Sequence, residues 1–312
     1  MNLNISDDDK MAAKKDSKKI KLTFMNAVGN RLVIVDEYFQ PLIEEKAKND
    51  FVREVSTSCG FDPDSILFLS RPGKGNIMMR IFDRDGTEET MCGNGLRCIA
   101  RYAFLNNYIG KKASIRTLDG IKTVQLLNGN IRTNLGIIKQ FCSINSELHF
   151  AYSGLPHLVL FTENLEEIDA EKVAKSYRYN KELTSKLGYP NNMHVDLIEI
   201  IDRHTIKIKT YEACVEKITQ SCGTGAVASA FVVAKLDECD FPLKIINPGG
   251  ILIADKEGEN MILTGPAEIV GKVKYDVSKL MNKTLKVEAP IEVTKSGPMR
   301  PVNPEHSGLY SL

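Results

Sequence analysis

Two short segments of one design, Met91-Cys92-Gly93-Asn94-Gly95 and Ser221-Cys222-Gly223-Thr224-Gly225, each run straight into an apolar stretch. The stretches at 96–105 and 226–236 are apolar nearly all round, with Leu96, Cys98, Ile99, Ala100, Ala103 and Phe104 in one and Ala226, Val227, Ala228, Ala230, Phe231 and Val232 in the other. A helix with no polar face must be enclosed on every side, so the pattern predicts sheets that wrap a central helix rather than a sheet carrying one helical layer. The segment recurs each time after strand-like runs and at the opening of a helix, which is the signature of an internal duplication.

The glycines let the backbone turn tightly and expose its N–H groups, and each cysteine falls at a helix N-terminus. There the unpaired N–H groups and the positive end of the helix dipole are expected to stabilise a thiolate and to hold an anion such as a carboxylate. Two such sites facing each other would place a pair of thiol acid/bases around one small anionic substrate. The plainer reading is two buried thiols at tight turns; recurrence in matched motifs argues against it.

Strand-like runs at 22–25, 32–36, 66–70, 77–82, 113–117 and 122–127 dominate the first half, with helices predicted over 41–59 and 92–107. After a junction near 143–147 the order recurs, with strands at 158–161, 194–201 and 206–211 before the helix that starts at Cys222. The expected organisation is therefore a disordered leader at 1–18, an N-terminal half at 19–146, a C-terminal half at 147–282 and an extended, proline-containing tail at 283–312.

The 312 residues are 43% hydrophobic, enough to bury a large core, and the 41 basic and 40 acidic residues leave a net charge of +1. That balance offers no footprint for nucleic acid or an anionic membrane. No run approaches the ~18 apolar residues of a membrane span, and the N-terminus is charged where a signal peptide would be apolar, so a cytoplasmic protein is expected. The seven cysteines lack C-x-x-C spacing, which predicts neither a disulfide framework nor a zinc site. Cys214 reads as an incidental thiol.

At these motifs the sequence resembles the diaminopimelate epimerase family. Gly29-Asn30, Asp85-Gly86-Thr87 with Met91-Cys92-Gly93-Asn94-Gly95, Pro156-His157 and Cys222-Gly223-Thr224-Gly225-Ala226 match its blocks in order, as do Asn247-Pro248-Gly249-Gly250 and Thr264-Gly265-Pro266-Ala267-Glu268. The resemblance implies an α/β (α+β) fold of two similar halves, each a curled, mostly antiparallel sheet around a central apolar helix, with the active site in the cleft between them. It implies Cys92 and Cys222 as the catalytic pair, and Asn30, Asp83, Gly93, Asn94, His157, His194, Glu212, Gly223 and Thr224 as substrate-binding residues. The implied reaction is inversion of an amino-acid α-carbon, in the lysine and cell-wall precursor pathway where the substrate is diaminopimelate. One base cannot reach both faces of that carbon, whereas opposed cysteines can, one as thiolate and one as thiol. No cofactor and no metal are expected, and the expected partners are a small amino acid and, as an assembly, a homodimer.

The departures fall on recognition of the substrate's far end. Family members usually carry an arginine directly after the glutamate that precedes the second cysteine block; here Glu212 is followed by Ala213, and the bidentate guanidinium fork is missing. Three asparagines of the family's distal site align with Asp83, Leu155 and His194, and the loop from Cys214 to Thr219 is longer and lacks glycine. His157 could also be a core histidine, His194 could point to solvent, and most of the charges between Asp83 and Glu89 read as a solvated cluster. A racemase for histidine, glutamate or an apolar amino acid is the alternative within the class. A non-catalytic amino-acid-binding protein or a redox dithiol is the alternative outside it.

Overall fold

The computed structural model describes residues 19–73, 75–213 and 215–277; the leader at 1–18, Cys214 and the tail at 283–312 lie outside the described residues. The first repeat runs β1 (Lys19–Ala27), β2 (Asn30–Glu37), α1 (Lys48–Ser58), β3 (Ser65–Ser70), β4 (Met78–Asp83), β5 (Glu88–Glu89), α2 (Gly93–Leu105), β6 (Lys112–Thr117), β7 (Gly120–Leu126), β8 (Asn130–Gly136) and β9 (Gln140–Ser143). The second runs β10 (Leu148–Tyr152), β11 (Pro156–Phe161), α3 (Ala170–Arg178), α4 (Lys181–Lys186), β12 (His194–Asp202), β13 (Thr205–Glu212), β14 (Lys217–Ile218), α5 (Gly223–Lys235), β15 (Leu243–Asn247), β16 (Gly250–Glu257), β17 (Asn260–Pro266) and β18 (Glu268–Asp276).

The pairing pattern of the two repeats is the same. In the first, β2 pairs β3 and β4 pairs β6 in parallel; in the second, β11 pairs β12 and β13 pairs β15 in parallel, and the remaining pairs are antiparallel. Each parallel step is crossed by helices: α1 and α2 in the first repeat, α3 with α4 and then α5 in the second. The repeats join antiparallel through β8 and β17, and each gives its last strand to the other's first, β18 beside β1 and β9 beside β10. The result is one curled, unclosed sheet that wraps α2 and α5.

Burial explains why these segments read as nearly continuous apolar runs. Leu32 and Ile34 of β2 face the core around α2 and α5, while Val33 and Val35 face the layer under α1. In β11, Val159 faces the central core and Leu158 and Leu160 face α3. Strands covered on both faces lose the polar half of their alternation. The central helices are enclosed as expected, with Leu96, Cys98, Ile99, Ala100 and Ala103 of α2 and Ala226, Ala228, Ala230, Val232 and Val233 of α5 all buried.

One predicted helix starts later than expected. Over 41–47 the chain forms only a 3-10 turn at Glu45–Ala47, because Glu37 Oε1 accepts from the backbone N–H of Leu42 and of Ile43, both at 3.0 Å. A side chain there supplies the partner that a helical turn would have used. Glu37 is itself held by a buried ion pair to Lys48 at 2.7 Å.

Candidate active site

The short β5–α2 and β14–α5 connections bring both cysteine motifs to the same place. Cys92 and Cys222 are extended N-cap residues of α2 and α5, at φ −147° and −121°. The first intrahelical bonds are Leu96 N–H to Cys92 O and Ala226 N–H to Cys222 O, each 2.9 Å, so the N–H groups of Gly93, Asn94, Gly223 and Thr224 have no partner within the helix ladder. The helix starts touch. A Cβ built on Gly223 would lie 3.0 Å from Gly93 Cα, and one built on Gly93 would lie 3.3 Å from Gly223 Cα. Both approaches are tighter than an ordinary Cβ contact, which favours glycine at both positions.

The contact is pinned by Asn94, whose Nδ2 donates to Ser221 O at 3.0 Å and to Ser221 Oγ at 2.9 Å. Its Oδ1 accepts from Arg97 at 2.6 Å, and Arg97 also donates to Gly93 O at 3.4 Å and Pro266 O at 3.3 Å. Arg97 is fully buried, and burial lowers its guanidinium to about 10. The Gly29-Asn30 turn is seated from the other side: a Cβ on Gly29 would lie 2.5 Å from Gln220 Cβ, and Gly249 N–H donates to Gln220 O at 2.8 Å. The Asn-Pro-Gly-Gly segment thus backs the turn that leads into Cys222.

A cavity of about 70 Å³ opens at this junction, lined by Asn30, Asp83, Cys92, Gly93, Asn94 and His194 together with Glu212, Cys222, Gly223 and Thr224. His157 is the one candidate that does not line it. It lies fully buried behind Thr224, its Nε2 3.0 Å from Thr224 Oγ1, which in turn lies 3.3 Å from Cys222 Sγ. On its other side His157 Nδ1 is 2.9 Å from Asp196 Oδ2, and Asp196 Oδ1 accepts from Thr210 at 2.7 Å. Parallel pairing sets His157 opposite His194, and the rings stack 4.8 Å apart. Asp196 shares a face of β12 with His194, two residues on, so the same register that stacks the histidines supplies the carboxylate.

The thiols differ from expectation in one respect. Burial pushes Cys92 up to about 12, against the N–H of Gly95, which donates to its Sγ at 3.3 Å, and the nearby Glu212 carboxylate adds to the rise. Burial and Glu212 likewise push Cys222 well above the ordinary thiol value. Burial thus opposes the thiolate that the helix starts favour at both cysteines. Glu212 is raised to about 8 by burial, against the hydrogen bond it accepts from Thr219 at 2.5 Å, and Asp83 is raised to about 7 by burial and by Glu89.

Asp64, Ser65, Glu89, Asn192, Thr219 and Ser221 also reach the cavity without having been singled out from the sequence. Ser221 stands directly before Cys222 and Asp64 directly before β3, so position at an element end was the available signal. Among the described residues no group of three or more His, Cys, Asp or Glu is arranged to hold a metal ion, and no helix is long and apolar enough to cross a membrane.

The diaminopimelate epimerase family model matches residues 22–138 and 149–270, both repeats. The chain belongs to the diaminopimelate epimerase family. The diaminopimelate epimerase of Methanocella arvoryzae is 33% identical over 285 residues, 84% of this chain and 99% of its own. That of Methanothermobacter thermautotrophicus is 32% identical over 260 residues, 74% and 88% of the two chains. In fold, the chain is similar to a Bacillus anthracis phenazine biosynthesis protein of the PhzF family, with a TM-score of 0.62 at 16% identity over 82% of this chain and 99% of that one. It is also similar to a hydroxyproline epimerase from Agrobacterium vitis, with a TM-score of 0.58 at 12% identity over 84% and 94%. Diaminopimelate epimerase family membership makes this chain an isomerase of the epimerase and racemase kind.

Proposed function

We propose that the chain inverts the α-carbon of an amino acid by a two-base mechanism in which Cys92 and Cys222 exchange the roles of base and acid. The observation that carries this reading is the abutment of two cysteine-capped helix starts on one cavity. Their unpaired N–H groups suit the substrate α-carboxylate, and the positive helix ends favour the negative charge that builds up as the α-proton leaves. In one direction the Cys92 thiolate takes the α-proton and becomes a thiol, while the Cys222 thiol gives its proton to the opposite face and becomes a thiolate; the reverse direction exchanges them. The substrate's α-ammonium supplies a positive charge that favours ionising one thiol, offsetting the burial that opposes it. Thr224, His157 and Asp196 then form a chain that orients the Cys222 proton.

The relatives' name supports an amino-acid end of diaminopimelate type at the helix starts. The mechanism needs both cysteines reduced, which suits a reducing compartment such as the cytoplasm. The test is deuterium incorporation from D2O into the α-carbon of a panel of amino acids, with Cys92→Ala and Cys222→Ala alongside the wild type. Each variant is expected to lose racemisation by roughly 10²–10⁴-fold or more. Full activity in either variant contradicts the mechanism, and a wild type that binds amino acids without any exchange favours a binding protein instead.

A further inference from the structure

Arg97 is the bulkiest fully buried side chain among the described residues, and the two-base mechanism makes no use of it. The groups that accept from its guanidinium, Gly93 O, Asn94 Oδ1 and Pro266 O, are all neutral, and it makes no ion pair with a described carboxylate. Neutral acceptors alone do not offset the water that a buried charge gives up, so such a charge is ordinarily paired.

Placement adds to the cost. Arg97 lies one turn into α2, and helical side chains lean back toward the N-terminus, which sets the guanidinium against Gly93 and Asn94. That is the positive end of the helix dipole, where a cation is disfavoured. The closing segment is fitted around it: a Cβ built on Gly265 would lie 3.3 Å from Arg97 Nε and 3.4 Å from Cζ, and Pro266 O accepts from that Nε. Burial lowers the guanidinium only to about 10, so it is charged at neutral pH.

The helix start and Arg97 thus collect positive charge behind one end of the cavity. The group there that can carry the opposite charge and also reach the cavity is Cys92, the cap of the same helix. Burial is the main cause that raises its thiol and Glu212 adds to it, while Arg97 works against both. Cys98, the other group whose charge acts on Arg97, is fully enclosed and away from the cavity. At Cys222 the situation is reversed, since burial is joined there by the Glu212 and Asp196 carboxyl groups.

We propose that Arg97 is a positioning residue of the site, a standing cation held behind α2 so that the thiolate formed at Cys92 supplies its missing counter-charge. It acts through Gly93 and Asn94, because it does not itself line the cavity. The two thiols are then unequal, and Cys92 is the one that ionises first. The proposal rests on the reading of Cys92 as an acid/base of an α-carbon epimerase.

The test alkylates the full-length, substrate-free protein with iodoacetamide at pH 9 and follows Cys92 and Cys222 separately by peptide mass spectrometry. The reagent is neutral and consumes thiolate, and a fold that merely loosens raises both rates. Arg97→Met and Arg97→Gln are each expected to lower the ratio of the Cys92 rate to the Cys222 rate by about tenfold or more, the thiolate lost over one pKa unit. Arg97→Lys keeps the charge without the planar fork and is expected to stay within about threefold of wild type. A folded charge-free variant with an unchanged ratio overturns the proposal. So does a folded Arg97→Lys whose ratio falls by about tenfold, whether or not the charge-free variants fold. In α-deuterium incorporation the charge-free variants are expected to lose about 10–100-fold in kcat with a smaller change in KM, and Arg97→Lys to restore most of it. A wild type that exchanges no amino acid overturns the epimerase reading, while the alkylation ratio still decides the role of Arg97, so the two failures are distinguishable.

Discussion

Asp196 Oδ2 lies 2.9 Å from Nδ1 on the far side of the His157 ring, without hydrogen-bond geometry, while Nε2 on the near side lies 3.0 Å from Thr224 Oγ1, itself 3.3 Å from Cys222 Sγ. His157 was legible because it follows a proline in a recognisable pair; Asp196 was not, because an acidic residue in an otherwise apolar strand carries no signal until the partner strand is known. Asp196→Asn keeps the shape and removes the charge, and it is expected to lower kcat by about 10–100-fold with little change in KM and a shifted pH profile, read from α-deuterium incorporation. A merely structural role would leave the pH profile where it is. Glu212 allows a stability prediction of definite sign. Its carboxyl titrates near 4.5 ordinarily and at about 8 in the fold, so the folded chain keeps a proton that the unfolded chain releases, and stability falls as pH rises between those values. Glu212→Gln abolishes that loss. Its Tm relative to wild type is expected to climb between pH 4.5 and 8, by the equivalent of up to a few kcal/mol, and a pH-independent difference contradicts the burial argument.

At the scale of elements, the central helices were legible because an apolar stretch with no polar face has few architectures open to it. The β2, β3 and β11 strands were legible because burial on both faces makes them dense in Val, Ile, Leu and Phe. The chain between β11 and β12 was not, because α3 buries only Ala170, Ala174 and Arg178, a sparse pattern that reads as loop. The late strands β16 and β18 carry charge on their exposed face and alternate weakly. The start of α1 was misplaced because a side chain from β2, distant from the helix period, satisfies the backbone of Leu42 and Ile43. The prediction that belongs here concerns the helix contact. Gly223→Ala places a methyl 3.0 Å from Gly93 Cα, against backbone that has no rotamer to give way, and is expected to cost about 1–3 kcal/mol and to lower kcat as the helix starts part. An alanine variant with unchanged Tm and turnover would mean that the abutment is not needed.

In the molecule as a whole, the duplication was visible in the two cysteine motifs, but the exchange of final strands was not. Periodicity identifies a strand without naming its neighbour, and β18 joins β1 across almost the entire described chain. Because each repeat completes the other's sheet and β8 pairs β17 at the seam, the halves are expected to unfold together. Urea transitions followed by far-UV and near-UV circular dichroism should coincide, and two separated transitions would contradict that coupling. The same arrangement puts one thiol from each repeat on the shared cavity, so the proposed inversion would be a property of the assembled pair. The direct measurement is a single turnover of one enantiomer in D2O with mass analysis of both enantiomers. Two monoprotic thiols predict a product fully deuterated at the α-carbon from the first turnover and recovered substrate that retains protium. Product that keeps the original α-proton would mean one base serving both faces, and would contradict the account.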